Sequence, residues 1–263
     1  MTFPVPLIRH HIPMPSRRRS GRPLEPGVRF IVAHDTGNPG STAFQNARYY
    51  ASTANAESTS AHLFVDHDGA VECVPCVSAS PPEKAWHVRY DVPKDDALFG
   101  VNANDAAIAV EYCYGAGIDA DRAYANYVAV LAWLCRTYGL NAAVQIVGHF
   151  VLDPGRRTDP ATGLARSGRT YEQLLRDVAA AMAPVPEPVR DTPQNARFRT
   201  STRLNLRRRR PSRSAEIERA VAAGTELSSV AFTDDGENIN GIARWYRDAA
   251  GSWFWSGPLE RID

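Results

Sequence analysis

The sequence predicts an α+β (α/β) fold, in which a mixed central β-sheet flanked by helices is followed by a small all-β barrel. Short apolar runs alternate with amphipathic helical segments as far as about residue 182. Four prolines then fall within the eleven residues 183–193, a composition typical of a semi-rigid linker. Beyond this stretch the chain has short alternating runs, turn residues and aromatic clusters, which are typical of a small β-structure.

The elements before the proline-rich stretch follow from the spacing of apolar residues. Apolar or alternating runs predict β-strands at residues 28–34, 62–66, 70–74, 106–114 and 144–148. Apolar residues at helical spacing predict α-helices at residues 41–54, 121–138 and 170–182. We expect Gly139 to end the second helix, because glycine readily adopts the left-handed conformation that follows many helices, and Thr170 to cap the third.

Charge and hydropathy exclude several classes of protein. The chain of 263 residues carries a net charge of +1, so it is not a polycation, and no nucleic-acid partner is predicted. No apolar run reaches the roughly 20 residues that cross a bilayer, so no transmembrane segment is predicted. The first 21 residues have the wrong order of apolar and charged positions for a secretory signal. We therefore expect synthesis in the cytoplasm without an evident signal peptide.

Four cysteines, at positions 73, 76, 113 and 135, are too few for a disulfide scaffold. Cys73 and Cys76 have the CxxC spacing of redox and zinc sites, but no second Cys or His pair at matching spacing accompanies them. Because free cysteine is among the most buried residue types, we expect all four to be structural.

Two histidines close apolar strands and are followed by polar loops. His34 ends the run 28–34, and His149 follows the run 144–148 and precedes a loop that contains Asp159. Residues at strand ends reach into clefts at the edge of a sheet, where rigid elements hold them. Two imidazoles and one carboxylate form a three-ligand set that leaves a fourth position for water, as in catalytic zinc sites. The sequence therefore predicts a site for one Zn²⁺ in which His34 and His149 are ligands and a nearby carboxylate is the third.

Six segments resemble, in order, the zinc-dependent N-acetylmuramoyl-L-alanine amidases of the type 2 superfamily, which includes phage T7 lysozyme, AmpD and the peptidoglycan recognition proteins. These segments are residues 31–36, 60–69, 85–87, 108–111, 148–149 and 154–160. The resemblance implies a peptidoglycan hydrolase that cleaves the lactyl–L-alanine amide bond of peptidoglycan or of a muropeptide.

The resemblance also assigns roles to individual positions. His34, His149 and Asp159 fall on the metal ligands of the family, and Glu111 falls on the glutamate that acts as general base toward water. Glu111 ends an apolar run, where partial desolvation would raise the pKa of its carboxyl. Arg157 stands where relatives often carry a lysine, and its charge would stabilise the negative charge that develops on the carbonyl oxygen.

Four further positions are implied to bind substrate, namely Thr36, His62, Trp86 and His87. They match family positions that line the cleft, where they would hold the muramyl sugar and the stem peptide, with Trp86 as a stacking surface. An alternative interpretation makes Trp86 a core residue and His62 an ordinary strand residue.

Residues 199–263 resemble a bacterial SH3 domain, a wall-binding module found on many such hydrolases. The matching segments are residues 204–207, 223–225, 244–247 and 253–259. Aromatic side chains on a small barrel would give a surface for peptide or sugar. The arginines at 207–210 would either attract anionic polymers such as those of the wall or form an ordinary solvated surface.

These observations predict an N-terminal extension at 1–21, a zinc amidase catalytic domain at 22–182, a Pro-rich linker at 183–198 and the SH3-like domain at 199–263. Two alternative functions stay open at this point: a recognition protein that binds peptidoglycan without cutting it, and a zinc peptidase that cuts within the stem peptide. We expect a monomer that reaches the cell wall through a holin or a secretion apparatus. The biological settings include a phage lytic enzyme, a delivered effector and a recycling enzyme.

Overall fold

The structure, a computed structural model, describes residues 2–183 and 189–263. The chain divides into two units, Met1–Ala183 and Pro184–Asp263. Part of the predicted proline-rich linker, residues 184–188, lies outside the described residues. Among the described residues, no helix is both long enough and apolar enough to cross a membrane.

The first unit is built on a six-stranded sheet in the order β1-β4-β3-β5-β2-β6. β3 and β4 pair antiparallel and the other neighbouring strands pair parallel, so the predicted mixed sheet is confirmed. Apolar clusters cover both faces, which explains why the central strands β2 and β5 are apolar throughout most of their length. The strands are β1 (Leu7–Arg9), β2 (Phe30–Asp35), β3 (Leu63–Val65), β4 (Ala70–Glu72), β5 (Ala107–Tyr112) and β6 (Ile146–Gly148).

Three longer helices match the predicted ones: α1 (Ala43–Ser52), α4 (Ala120–Tyr138) and α8 (Tyr171–Met182). Gly139 follows α4 with a left-handed φ of 66°, and the Thr170 hydroxyl accepts a hydrogen bond from the first turn of α8, as expected. Sequence reasoning misses the shorter helices because one turn shows no periodicity. They are α2 (Lys94–Phe99), α3 (Ala103–Ala106), α5 (Ala142–Gln145), α6 (His149–Leu152) and α7 (Ala161–Arg166).

The N-terminal segment, which is predicted to be an extension at 1–21, packs onto the first unit. β1 adds an edge strand to the sheet by pairing with β4, and Ile12 is fully buried. The Arg18 side chain is also fully buried, and its guanidinium donates hydrogen bonds to the carbonyls of Thr53 and Thr59. The same guanidinium lies over the ring of Tyr50, 4.6 Å from its centre. These contacts fasten the segment to the end of α1.

The four cysteines are free and buried, which confirms the structural interpretation. Burial raises the pKa of Cys135 to about 12 and raises that of Cys76 well above 9. The thiols therefore stay protonated at neutral pH, and a thiolate redox or zinc pair at Cys73 and Cys76 has no support.

The second unit is a seven-stranded antiparallel sheet in the order β13-β7-β10-β11-β12-β8-β9, which confirms its all-β character. Phe198, Leu206 and Phe254 are at the centre of its core. β7 begins at Thr192, inside the predicted linker at 183–198, because Ala196 and Phe198 alternate into this core. The strands are β7 (Thr192–Thr200), β8 (Leu204–Arg207), β9 (Ile217–Val221), β10 (Glu226–Thr233), β11 (Trp245–Arg247), β12 (Trp253–Trp255) and β13 (Leu259–Arg261).

Glu72, at the end of β4, holds the loop that follows it. Its side chain is fully buried, and Oε1 accepts hydrogen bonds of 2.6–2.9 Å from the backbone amides of Cys76, Val77 and Ser78. His11 Nε2 lies 3.0 Å from Oε2. Burial by itself would raise the pKa of Glu72, but these hydrogen bonds outweigh it and lower the pKa to about 2.

We expect Glu72→Gln to lower the free energy of unfolding at pH 7 by about 2 kcal/mol, the order of a charge-assisted hydrogen bond. The folded-state pKa lies below the ordinary value of 4.5, so this stabilisation is complete above pH 4.5 and is lost as the pH falls toward about 2. Urea unfolding of both proteins across this pH range measures the difference, with the exposed Glu25→Gln as control. A difference that stayed constant on acidification would contradict the assignment.

Candidate active site

The carboxyl ends of three parallel strands meet at one edge of the sheet. β2 and β5 pair in register so that His34 lies beside Glu111. β6 pairs with the other side of β2 and ends at Gly148, directly before His149. Residues from distant parts of the chain are thereby brought to one place by backbone pairing alone.

Three side chains converge here on a common point, and we call His34, His149 and Asp159 the ligand group. The Nδ1 atoms of His34 and His149 lie 2.8 Å and 3.1 Å from Asp159 Oδ2. All three ligand atoms lie within 4.8 Å of one another, and both imidazoles are buried. Two imidazole nitrogens and a carboxylate oxygen at this spacing suit a divalent metal such as zinc. The structure thus brings the three predicted ligands together.

One local detail differs from the sequence prediction. His149 does not end a strand but is the first residue of the short helix α6. Asp159 lies in the loop after α6, and its carbonyl accepts a hydrogen bond from the Phe150 amide at 3.0 Å. That bond folds the loop back so that the carboxylate faces His149.

Burial and hydrogen bonding give the members of the ligand group opposite pKa shifts. Burial lowers the pKa of His34, which favours the neutral imidazole that metals bind. Burial alone would raise the pKa of Asp159, but the hydrogen bonds with His149 and His34 lower it well below its ordinary value. His34 therefore favours a neutral imidazole and Asp159 an ionised carboxylate.

His87 supports the ligand group through its contact with His34. Its Nδ1 lies 3.2 Å from His34 Nε2, and its backbone amide donates to the side-chain oxygen of Asn104 at 2.8 Å. Burial lowers the pKa of His87 well below 6.5, and the neighbouring His34 adds to this effect. A neutral His87 can accept the Nε2 proton of His34 and so leave His34 Nδ1 free for a metal.

Glu111 is half-buried, and the Oε2 atom of its carboxyl group is fully buried in the site. Among the described residues, no hydrogen-bond partner reaches its Oε2. Burial raises the pKa of Glu111 well above 4.5, and the charges of Asp159 and Asp35 raise it further. A carboxyl group in this state is suited to exchange protons with a bound reactant.

These residues line one cleft of about 360 Å³. Its wall also contains Thr36, Tyr50, Ser60, Tyr114 and Arg157. Arg157 is exposed and belongs to the loop between α6 and Asp159, so its guanidinium can reach a ligand in the cleft. A larger groove of about 630 Å³ lies on the same unit and is lined by Phe3, Leu7, Arg9, Val77 and Trp133. Its lining contains one cationic side chain, that of Arg9, and no side chain that could act as a base or nucleophile.

Two of the four predicted substrate residues do not line the cleft. His62 is fully buried, with Nε2 2.7 Å from the Glu83 carbonyl and Nδ1 accepting from the Ala109 amide, so both ring nitrogens are occupied by backbone. The prediction of a substrate contact for His62 is therefore wrong. Trp86 lines a neighbouring groove of about 470 Å³, and Lys84 Nζ lies 4.7 Å from its ring centre. Thr36 and His87 do line the cleft.

Sequence reasoning assigned no role to three residues that the structure places in the cleft wall: Asp35, Tyr50 and Tyr114. Asp35 directly follows the predicted ligand His34, and this position in the sequence could have marked it as a residue of the site. The two tyrosines carry no comparable signal, because neither is adjacent in the chain to a predicted ligand.

An α/β domain with three potential metal ligands and a carboxyl group at its strand ends has an arrangement that metal-assisted hydrolysis can use. Residues 23–162 match the family model described as N-acetylmuramoyl-L-alanine amidase, and the chain belongs to this family.

Curated relatives share part of their sequence with this chain. A probable N-acetylmuramoyl-L-alanine amidase of Bacillus licheniformis is 33% identical over 126 residues, which cover 47% of this chain and 34% of that protein. The N-acetylmuramoyl-L-alanine amidase BlyA of Bacillus subtilis (strain 168) is 30% identical over 172 residues, 60% of this chain and 42% of that protein. The chain thus spans less than half the length of these relatives.

Solved structures support the fold. The catalytic domain of XlyA aligns with a TM-score of 0.52 at 24% identity, covering 66% of this chain and 99% of that one. The Staphylococcus aureus hydrolase AmiA, solved in complex with its ligand, aligns with a TM-score of 0.54 at 19% identity, covering 68% of this chain and 84% of that one. At these identities the similarity is one of fold.

We expect the purified protein to bind one zinc ion, and His149→Ala to weaken binding by more than about 100-fold, since even outer-shell partners contribute 10- to 100-fold. Competition against a chromophoric chelator measures the affinity. The control His10→Ala, which removes an imidazole that packs on Phe44, should bind zinc as the unchanged protein does. Equal affinities for the two variants would show that the ligand group is misassigned.

Proposed function

We propose that this protein is a zinc-dependent N-acetylmuramoyl-L-alanine amidase that hydrolyses the lactyl–L-alanine amide bond of peptidoglycan. The observation that carries the proposal is the buried, partly unpartnered carboxyl of Glu111 beside the ligand group in a single cleft. Membership in the amidase family and the names of the curated relatives support it.

His34, His149 and Asp159 would hold one zinc ion. When bound, this ion would supply Lewis-acid activation of water and of the scissile carbonyl group. Such a site requires neutral imidazoles and an ionised carboxylate, and burial favours the neutral form of His34 while hydrogen bonding favours the ionised form of Asp159.

Glu111 would act first as the general base of the reaction and then as its general acid. It would accept a proton from the water that attacks the carbonyl carbon and would pass it to the L-alanine nitrogen as the C–N bond breaks. The raised pKa of Glu111 makes its protonated form a good donor in the second step. The charge of Arg157 lowers the same pKa and so favours the ionised form that the first step needs.

Arg157 would also stabilise the negative charge that develops on the carbonyl oxygen. Arg156 and Arg157 are both exposed at the cleft wall, but the Arg156 guanidinium pairs with Asp153. Arginine supplies the same charge as the lysine of many relatives but spreads it over a planar group. Charge therefore matters more at this position than the exact shape of the donor.

Substrate would contact Thr36 and His87 in the cleft and Trp86 in the neighbouring groove. Trp86 and His87 are adjacent in the chain, so the groove lies next to the cleft. The half-buried indole of Trp86 offers an apolar surface of the kind that sugars stack on. His62 would act indirectly, by its packing against His87 at 6.1 Å between ring centres.

The second unit would be an SH3-like module that binds the wall polymer. Its seven-stranded antiparallel sheet and the aromatic strands β11 and β12 support this part of the proposal. Arg208, Arg209 and Arg210 are exposed in the β8–β9 connection, where they could approach anionic groups of the wall. The protein would act as a monomer on the cell wall, which it would reach through a holin or a secretion apparatus.

We expect Glu111→Gln to lower kcat on purified sacculi by about 10²- to 10⁴-fold, the usual contribution of a general base, while zinc binding is retained.

Mass spectrometry of the products tests the bond that is cut, because an amidase exposes new N-terminal L-alanine. Cut cross-links would instead indicate a stem-peptide peptidase. Binding to sacculi without any product would indicate a recognition protein, and Glu25→Gln serves as the matched surface control.

We expect Arg157→Ala to lower kcat by about 10²-fold, as the loss of one oxyanion donor does, and Arg157→Lys to restore most of the rate. Steady-state kinetics on a soluble muropeptide separate this effect from wall binding. Arg156→Ala, next to it on the same loop, should change kcat little. If Arg156→Ala and Arg157→Ala were equally slow, the loop would be important for its conformation and not for the charge of Arg157.

A further inference from the structure

Asp35 joins the two segments of chain that carry His34 and Asp159. It directly follows His34 at the end of β2 and is buried to 7% exposure. Its Oδ2 accepts a hydrogen bond of 2.8 Å from the backbone amide of Gly163 in α7. Its Oδ1 accepts one of 3.0 Å from the Gly37 amide. Both carboxylate oxygens of Asp35 therefore accept hydrogen bonds from backbone amides.

Gly163 is packed so closely that the contact leaves no room for a side chain. A Cβ atom at this position would lie 2.8 Å from the Asp35 Cβ and 2.8 Å from the Tyr114 ring. Such distances are shorter than ordinary van der Waals contact, so any larger residue would push α7 away from β2. The hydrogen bond and this close packing together fix the spacing of the two segments.

The contact between Asp35 and Gly163 lies close in the chain to two members of the ligand group. Asp35 is one residue beyond the ligand His34, and Gly163 is four residues beyond the ligand Asp159. α7 begins at Ala161, and the Leu164 amide donates to the Pro160 carbonyl, so the chain from Asp159 to Gly163 has little freedom. Moving Gly163 relative to Asp35 would therefore move the Asp159 carboxylate relative to His34.

We propose that Asp35 is a positioning residue, whose hydrogen bond to Gly163 sets the distance between the Asp159 carboxylate and His34 and thereby the metal affinity of the ligand group. This rests on the metal site of the proposed function. Asp35 contacts neither substrate nor the reacting atoms in this role. It acts by holding one ligand at the correct distance from another.

Asp66 provides a matched control within the same unit. It directly follows β3, whereas Asp35 is the last residue of β2, and it is buried to 4% exposure. Its Oδ1 accepts from the amide two residues ahead, that of Asp68, at 2.8 Å. Its Oδ2 accepts from the first-turn amide of another helix, that of Ala43 in α1, at 2.7 Å. The two aspartates make the same kinds of bonds, but only the bonds of Asp35 adjoin the ligand group.

The test compares Asp35→Asn with Asp66→Asn in the full chain. Asparagine keeps the size of the side chain but turns one accepting oxygen into a donor, which cannot pair with a backbone amide. Three quantities are measured: the free energy of unfolding in urea, the zinc affinity by chelator competition, and the visible absorption of the cobalt(II)-substituted protein. Cobalt(II) absorption reports coordination geometry directly and requires no catalytic activity.

We expect both variants to unfold more easily, but only Asp35→Asn to lose zinc affinity, by about 10- to 100-fold, and to change the cobalt(II) spectrum. The far end of α7 is held separately by the hydrogen bond from the Tyr112 hydroxyl to Ser167, so the variant should fold. Should it not, Gly163→Ala tests the same contact with Asp35 intact and should give the same two changes.

Unchanged zinc affinity and cobalt(II) spectrum in both Asp35→Asn and Gly163→Ala would overturn the proposal, as would equal losses in Asp35→Asn and Asp66→Asn. Failure of the unchanged protein to bind either metal would be a different result, since it would remove the metal site of the proposed function. The two failures are therefore distinguishable in the same set of measurements.

Discussion

The parallel pairing of β2 with β5 and β6 is the constraint on which the rest of the first unit depends. Parallel strands present their carboxyl ends at the same edge, so His34, Glu111 and His149 meet although they are far apart in the chain. Such strands are buried on both faces, which requires helices on both sides and explains their apolar sequences. A slip of one residue between β2 and β5 would turn Glu111 away from His34.

The three carboxyl groups of the cleft differ in their hydrogen bonds, and their pKa values are shifted differently as a result. Asp159 faces two imidazoles and stays ionised, whereas Glu111 has an oxygen without a partner and its pKa is raised. The pKa of Asp35 is also raised by burial, which its two backbone donors oppose. Different environments thus suit chemically similar groups to the different tasks proposed for them, namely binding a cation, moving a proton and holding backbone segments in place.

Several features were beyond sequence reasoning because they depend on contacts between segments. The first 21 residues look like a polar extension, yet Arg18 is buried against the end of α1 and Ile12 is in the core. His62 matches a family position at the cleft, yet backbone groups of Glu83 and Ala109 use both of its ring nitrogens. β7 begins within a stretch that composition marks as a linker, since a packed sheet overrides local proline content.

The sequence by itself determined five of the six strands of the first sheet, the end of α4, the start of α8 and the two histidines of the ligand group, because periodicity, capping and strand-end histidines are local signals. Only the tertiary structure decided which atoms of those residues meet. His34 and Asp159 are 125 residues apart, and Asp35 and Gly163 are 128 residues apart. Contacts across such separations depend on how whole elements pack, and local sequence patterns do not encode the distances at which they settle.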